Sequence, residues 1–257
     1  MKPTAKAETL RGPIRDVLAQ VAHLLDPPAP KLAELVQVVR ISAADAPTAL
    51  LARPLVEKLW RTAPGISIVF KPWLGPEAVV RDLTNGEADL GIALFDRRFD
   101  HIETEKLLEA DYVVAMRREH PAAESFDLES WLAWPHVVVS GQGRRYTPLD
   151  ESLRATGHSR HIGLVVPSFQ LVPDILAKTD LLAMLPRKSF EAQCGGDFVA
   201  FPPPLAVDSF PLHLAWHDRN NNDPGISHVA GLIRAVLGEE ADGTSTGTAS
   251  YAPPAEA

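Results

Sequence analysis

Leu35-Val36-Gln37-Val38-Val39-Arg40-Ile41-Ser42 is a short β-rich run, and the segments that follow it decide the fold. A helical segment runs from about Ala46 to Arg61 and carries Leu50, Leu51, Leu55 and Leu59 on one side, the spacing of a helix face. Gly65 separates it from a second strand, Ser67-Ile68-Val69-Phe70. Pro76 opens a short helix, and Asn85-Gly86 supplies the left-handed C-cap that ends it. Ala88 to Leu94 is the next strand. The order β-α-β-α-β predicts a parallel sheet with right-handed crossovers.

Beyond it the pattern repeats with different residues. Strands are expected at Tyr112–Met116, His136–Ser140, Ile162–Val166 and Leu181–Leu185. Helices are expected around Leu128–Ala133, Leu149–Ala155 and Phe169–Lys178. A strand at Pro211–Trp216 and a helix at Gly225–Leu237 close the pattern. Two α/β units joined by strand-like passages near Met116 and Phe210 predict two lobes connected by two crossings, with a cleft between them where a small ligand fits. The expected division is lobe I over 31–117 plus 210–237 and lobe II over 118–209, with a disordered tail over 238–257 rich in Gly, Ser, Thr, Ala and Pro.

Ahead of these lobes, Leu10, Ile14, Val17, Val21 and Leu24 fall at alternating spacings of four and three, a heptad-like seam. Asp26-Pro27-Pro28-Ala29-Pro30 stops that helix and makes a stiff connector. Residues 1–30 therefore read as a linker helix that pairs chains; the other reading is a helix folded onto its own domain.

Composition narrows the function. The net charge is -8, which offers no broad basic field for a phosphate backbone. Cys194 is the single cysteine, so no intrachain disulfide forms, and it reads as a small apolar residue in a reducing compartment. Met1–Leu10 lacks the apolar core of a signal peptide, and no stretch approaches the roughly 20 apolar residues of a membrane span. A cytoplasmic protein without a membrane partner is expected.

Several motifs in order resemble one family. Asn85-Gly86-Glu87-Ala88-Asp89-Leu90-Gly91-Ile92 resembles the "G-E-x-D-hydrophobic-G/A-I" signature of LysR-type substrate-binding domains. Leu107 through Arg117-Arg118-Glu119-His120-Pro121 resembles that family's stretch ending in His-Pro. Thr179–Pro186 and Trp216-His217…Asp223-Pro224 look like the branch of nodulation and aromatic-catabolism regulators. The resemblance covers about Val36 to Leu237. It implies an α/β fold of two Rossmann-like lobes, of the type 2 periplasmic-binding-protein kind, that binds a small-molecule effector in its cleft and assembles as a dimer or tetramer. Pro3–Glu8 resembles the junction after the family's winged helix-turn-helix. The DNA-reading helices that precede this junction in the family are not expected here, so DNA contact is implied only through that separate part.

In open α/β sheets ligands sit beyond the carboxyl ends of the strands, and the resemblance places effector contacts at those junctions. Three qualify. Ser42-Ala43-Ala44-Asp45 follows the first strand; Asp45 also reads as a helix cap, and its charge opposes an anion there. Ser140-Gly141-Gln142-Gly143-Arg144 follows the strand that begins at His136; two glycines and nearby guanidinium groups suit a carboxylate, or make a surface turn with solvated arginines. Pro167-Ser168-Phe169 follows the strand ending at Val166. Ser168 reads either as a ligand contact or as an N-cap, and Phe169 either stacks on an aromatic ligand or fills the core. His136 reads as a core histidine or a ligand contact. The expected effector is a small, aromatic or aliphatic carboxylate.

Enzyme chemistry finds no support. There is no G-x-S-x-G, H-E-x-x-H or P-loop, and no cofactor motif. His158 and His161 lack the partner pair a metal site needs, and Glu103 and Glu105 alternate on a short extended edge. An extracytoplasmic solute-binding protein shares the expected architecture; the absent signal peptide and the heptad seam count against it. A lyase or dehydratase on the same scaffold has only the cleft in its favour.

Overall fold

A computed structural model describes residues 31–242 except 96, 206 and 208, with side chains to 238, together with Lys6, Leu10, Pro13, Ile14, Arg15, Val17 and Leu18. Leu10, Ile14 and Val17 are helical and about half exposed. Val21 and Leu24 of the expected seam lie outside the described residues.

The first sheet has the order β2-β1-β3-β10-β4, built from β1 (Gln37–Ala43), β2 (Ile66–Lys71), β3 (Leu90–Leu94), β4 (Ile102–Ala110) and β10 (Phe210–His217). β1 is parallel to β2 and β3, as the β-α-β-α-β reading requires, and β10 runs antiparallel to β3 and β4. Helix α1 (Asp45–Thr62) buries Leu51, Leu55 and Leu59, spaced four apart, against Val39 and Ile41. The last helix, α7 (Pro224–Asp242), adds Val229, Ile233 and Val236 to the same core. The opposite face is covered by α2 (Pro76–Asn85), where Val79 and Leu83 pack on Ala93 and Ala215. This packing is close: a Cβ on Gly91 would sit 2.4 Å from Val79 Cγ1. As expected, Gly86 ends α2 in the left-handed conformation (φ 72°), its N–H returned to the carbonyls of Asp82 and Leu83.

The second sheet has the order β7-β6-β8-β5-β9, from β5 (Tyr112–Arg117), β6 (His136–Val139), β7 (Ile162–Val166), β8 (Leu182–Pro186) and β9 (Phe198–Phe201). α3 (Leu128–Ala133) and α4 (Pro148–Ala155) cover one face through Trp131 and Leu153. α5 (Val172–Leu176) and α6 (Arg187–Gln193) cover the other through Val172, Leu176 and Phe190. Both α3 and α4 start on capping boxes, Asp127–Ser130 and Thr147–Asp150.

The chain crosses between the sheets at Asp111 and again between Phe201 and Phe210. The first crossing corrects the expected boundary at 117, because Tyr112–Arg117 hydrogen-bonds to β8 and β9 of the second sheet. A second correction falls at the C-terminus, where α7 continues past 237 to Asp242. The extended edge at Glu103 and Glu105 is β4, a nine-residue edge strand where the single Arg234 Nε–H is shared between the two carboxylate oxygens of Glu105, at 3.0 and 2.8 Å. Among the described residues no helix is long and apolar enough to cross a membrane.

Candidate effector site

A cavity of about 1210 Å³ opens between the two sheets. Its walls come from both lobes. The first turn of α1 brings Ala44, Asp45 and Thr48, the end of β2 brings Phe70, and the passage after it brings Trp73 and Leu74. Facing them are Val139 and Gly141 after β6, Pro167 and Phe169 after β7, and Arg187–Ser189 after β8. Asp111 and Tyr112 line it at the crossing. These are the carboxyl ends of parallel strands, where loop and helix starts converge.

The lobes touch directly across this space. Ser168 Oγ donates to Asp45 Oδ2 at 2.6 Å, and the Gln170 amide donates to the same oxygen at 3.0 Å. Ser168 Oγ also accepts from Gln170 N at 3.1 Å, so it caps its own turn while bonding the other lobe. Asp45 does not cap α1; the N-cap is Ala44, which has no side-chain cap bond. A second contact lies at Gly141, where an added Cβ would stand 2.6 Å from the Trp73 carbonyl oxygen. Beside it the Gln142 amide donates to the Leu74 carbonyl.

The structure thus divides the residues expected to meet a ligand. Ala44, Asp45, Gly141, Pro167 and Phe169 line the cavity. Ser42, His136, Ser140, Gln142, Arg144 and Ser168 do not. Ser42 is buried in β1. Ser140 Oγ accepts from the Arg144 amide at 2.9 Å and closes its own turn. Gln142 and Arg144 line a separate shallow depression with Leu74, Glu77, Ala78 and Arg81, so the expected anion site lies outside the main cavity. His136 is a core histidine: it is fully buried, its Nε2 is 2.9 Å from the Trp131 carbonyl, and its ring packs edge-on against Trp131. Burial, helped by the nearby Arg160 guanidinium, lowers its pKa to about 4.

Sequence reasoning missed Phe70, Trp73 and the Arg187–Ser189 start of α6. Trp73 lies just after β2, as the three expected junctions lie after their strands, so its position alone points to it, whereas Phe70 sits within β2 itself. Lys188 is distinctive: its Nζ is buried and has no hydrogen-bond partner among the described residues. The cavity's other lysine, Lys71, is committed to Asp82 at 2.9 Å and Glu87 at 3.3 Å, and the Asp82 bond holds its pKa above the usual lysine value. Among the described residues no group of three or more His, Cys, Asp or Glu side chains is placed to hold a metal ion. Burial raises the Cys194 thiol to about 11, away from thiolate chemistry.

The family model described as LysR substrate binding domain matches residues 33–238. The chain is 31% identical over 190 residues to the HTH-type transcriptional activator NagR of Ralstonia sp., covering 72% of this chain and 62% of that one. It is 30% identical over 149 residues to the HTH-type transcriptional activator NahR of Pseudomonas putida, covering 57% and 49%. The chain therefore spans less than two thirds of the length of these two relatives. The regulatory domain of MexT, a transcriptional activator in Pseudomonas aeruginosa, superposes with a TM-score of 0.69 at 27% identity, covering 79% of this chain and all of that one. These relatives are regulators of transcription, which favours an effector-binding reading over a solute-binding or enzymatic one.

Proposed function

The chain belongs to the LysR substrate-binding domain family, and from that premise we propose that it senses a small molecule with an apolar body, held in the cleft between its lobes. The observation that carries this is the cavity itself, walled by both lobes and spanned by the Ser168–Asp45 bond. Phe70, Trp73 and Phe169 supply flat apolar surface, as small-molecule sites commonly do. Because each wall moves with its lobe, a ligand that fits one lobe separation better than another biases that separation. A ligand that fitted all equally would shift nothing.

In a cytoplasmic regulator this bias is read out by a dimer or tetramer, and DNA is reached only through a winged helix-turn-helix. Those features are carried over from the family and from relatives longer than this chain. The test is a thermal-shift screen of small organic acids and neutral aromatics, repeated on Phe169→Ala. A ligand at about 100 times its Kd adds roughly 2.7 kcal/mol of stability, a visible shift. Hits that the variant weakens support the reading; hits untouched by Phe169→Ala and by Trp73→Ala place binding elsewhere.

A further inference from the structure

We infer that the seam between Leu74 and Gln142 is the entrance of the interlobe cavity, a clasp that opens while the Asp45–Ser168 contact holds; this rests on the cleft reading and assigns the path into that same site. Leu74 lines both the cavity and the shallow depression on the surface, so the wall between them is one residue deep there. Gly141 lies on the cavity side of the seam, and its neighbour Gln142 lies on the depression side. Leu74 is 48% exposed and Gln142 is exposed as well, so the clasp stands in water.

The seam is close but lightly held. The Gln142 side chain lies over Gly75, where an added Cβ would stand 2.6 Å from Nε2, and its amide donates to the Leu74 carbonyl. That is one neutral hydrogen bond, and water competes for both of its partners. Gln142 is carried at the tip of a turn that the Gly143 amide closes on the Ser140 carbonyl at 3.1 Å. The other seam differs in kind. There a carboxylate, Asp45, accepts from Ser168 Oγ and from the Gln170 amide, and charge-assisted bonds are roughly twice as strong as neutral ones. Both of its sides are anchored, Asp45 in the first turn of α1 and Ser168 as the cap of its own turn. The Leu74–Gln142 seam therefore parts first, and the lobes pivot on Asp45–Ser168. The gap joins the cavity to the depression, which has Glu77 and Arg81 of α2 and Arg144 at its rim.

The experiment places a thiol inside the cavity and times its reaction with N-ethylmaleimide, a neutral reagent that the charges at the rim do not steer. Cys194→Ala removes the chain's own thiol, and Leu94→Cys or, in a second chain, Thr48→Cys supplies a reporter on the cavity wall. Gln142→Ala should quicken labelling of both reporters about fivefold, the open population gained when one neutral hydrogen bond is lost. Ser168→Ala should quicken it less, because Asp45 keeps the Gln170 amide. Gln142→Ala should leave the melting temperature unchanged, since an exposed turn residue supports neither core, and this separates opening at the seam from unfolding. Labelling that is no faster in Gln142→Ala, or a larger gain from Ser168→Ala, overturns the assignment. The labelling needs no effector, so its failure leaves the cleft reading intact, and silence in the ligand screen counts against the cleft reading alone.

Discussion

Ser168 Oγ lies 2.6 Å from Asp45 Oδ2, joining the start of a turn in one lobe to the first turn of α1 in the other, 123 residues apart in the chain. Asp45 also holds the Gln170 amide, so one carboxylate oxygen anchors two donors of the opposite lobe. The carboxylate sits in the first turn of α1, where a negative charge is favoured. It thus serves its own helix while reaching across the cleft.

Asp45→Ala removes the acceptor for both donors. The Gln170 amide keeps only its contact with Ser168 Oγ, and its hydrogen exchange should quicken about tenfold, the effect of losing one hydrogen bond. Unchanged exchange at Gln170 would mean that the lobes do not hold this contact in solution.

Gly141 sits where the second lobe meets the Trp73 carbonyl, and a Cβ there would come within 2.6 Å of it. Gly141→Ala should therefore part the lobes at that corner. Small-angle scattering should show a larger radius of gyration, and affinity for any cleft ligand should fall by about tenfold. Urea stability should change little, since neither lobe's core is touched.

His136 makes stability depend on pH. Its pKa is lowered to about 4 in the fold, chiefly by burial, while an unfolded histidine titrates near 6.5. Between those values the unfolded chain binds a proton that the folded chain refuses. Stability is therefore unaffected by this group above about pH 6.5 and declines as pH falls towards 4, by on the order of 3 kcal/mol. His120 and His213 are shifted in the same direction by burial and add to the slope. Comparing urea midpoints of wild type and His136→Phe at pH 7.5 and 5 isolates the His136 share: the variant should lose less stability on acidification.

Arg160 and Asp150 form a buried pair beside Trp131, at 2.8 Å, with both side chains nearly inaccessible. Asp150 also accepts from Thr147 N and Oγ1 at the start of α4. Burial opposes ionisation of Asp150, and the bonds from Arg160 and Thr147 outweigh it, leaving its pKa below the usual value. Arg160→Met strands that charge, and unfolding measurements should show a loss of about 3–5 kcal/mol. A loss under about 1 kcal/mol would show that solvent reaches Asp150 in solution.

What could be read from the chain follows from locality. Pro76 and Gly86 bracket α2 because caps are set by neighbouring residues, and both lay in plain view. The leucines at 51, 55 and 59 marked a buried face by spacing alone. β4 is legible only as a short polar edge, because Glu103 and Glu105 alternate on a strand that lies at the end of its sheet. α6 was missed because Arg187-Lys188-Ser189 opens a seven-residue helix too short to show an apolar period. At the site, the sequence marked Asp45 and Ser168 separately as helix starts. That they bond each other depends on how two lobes meet, which no local pattern encodes. The Arg144 turn looked like an anion site for the same reason: its chemistry was local, but its distance from the cavity was not.

The central claim, that the interlobe cleft takes the effector, is tested most directly by fluorine NMR of the chain labelled with 5-fluorotryptophan. Trp73 lines the cavity, Trp131 is buried within the second lobe, and Trp60 lies 73% exposed on α1. With resonances assigned by single Trp→Phe variants, a saturating hit from the thermal-shift screen should move the Trp73 signal and leave Trp131 and Trp60 in place. A hit that shifts Trp60 or Trp131 while Trp73 stays fixed would put the ligand outside the cleft and contradict the account.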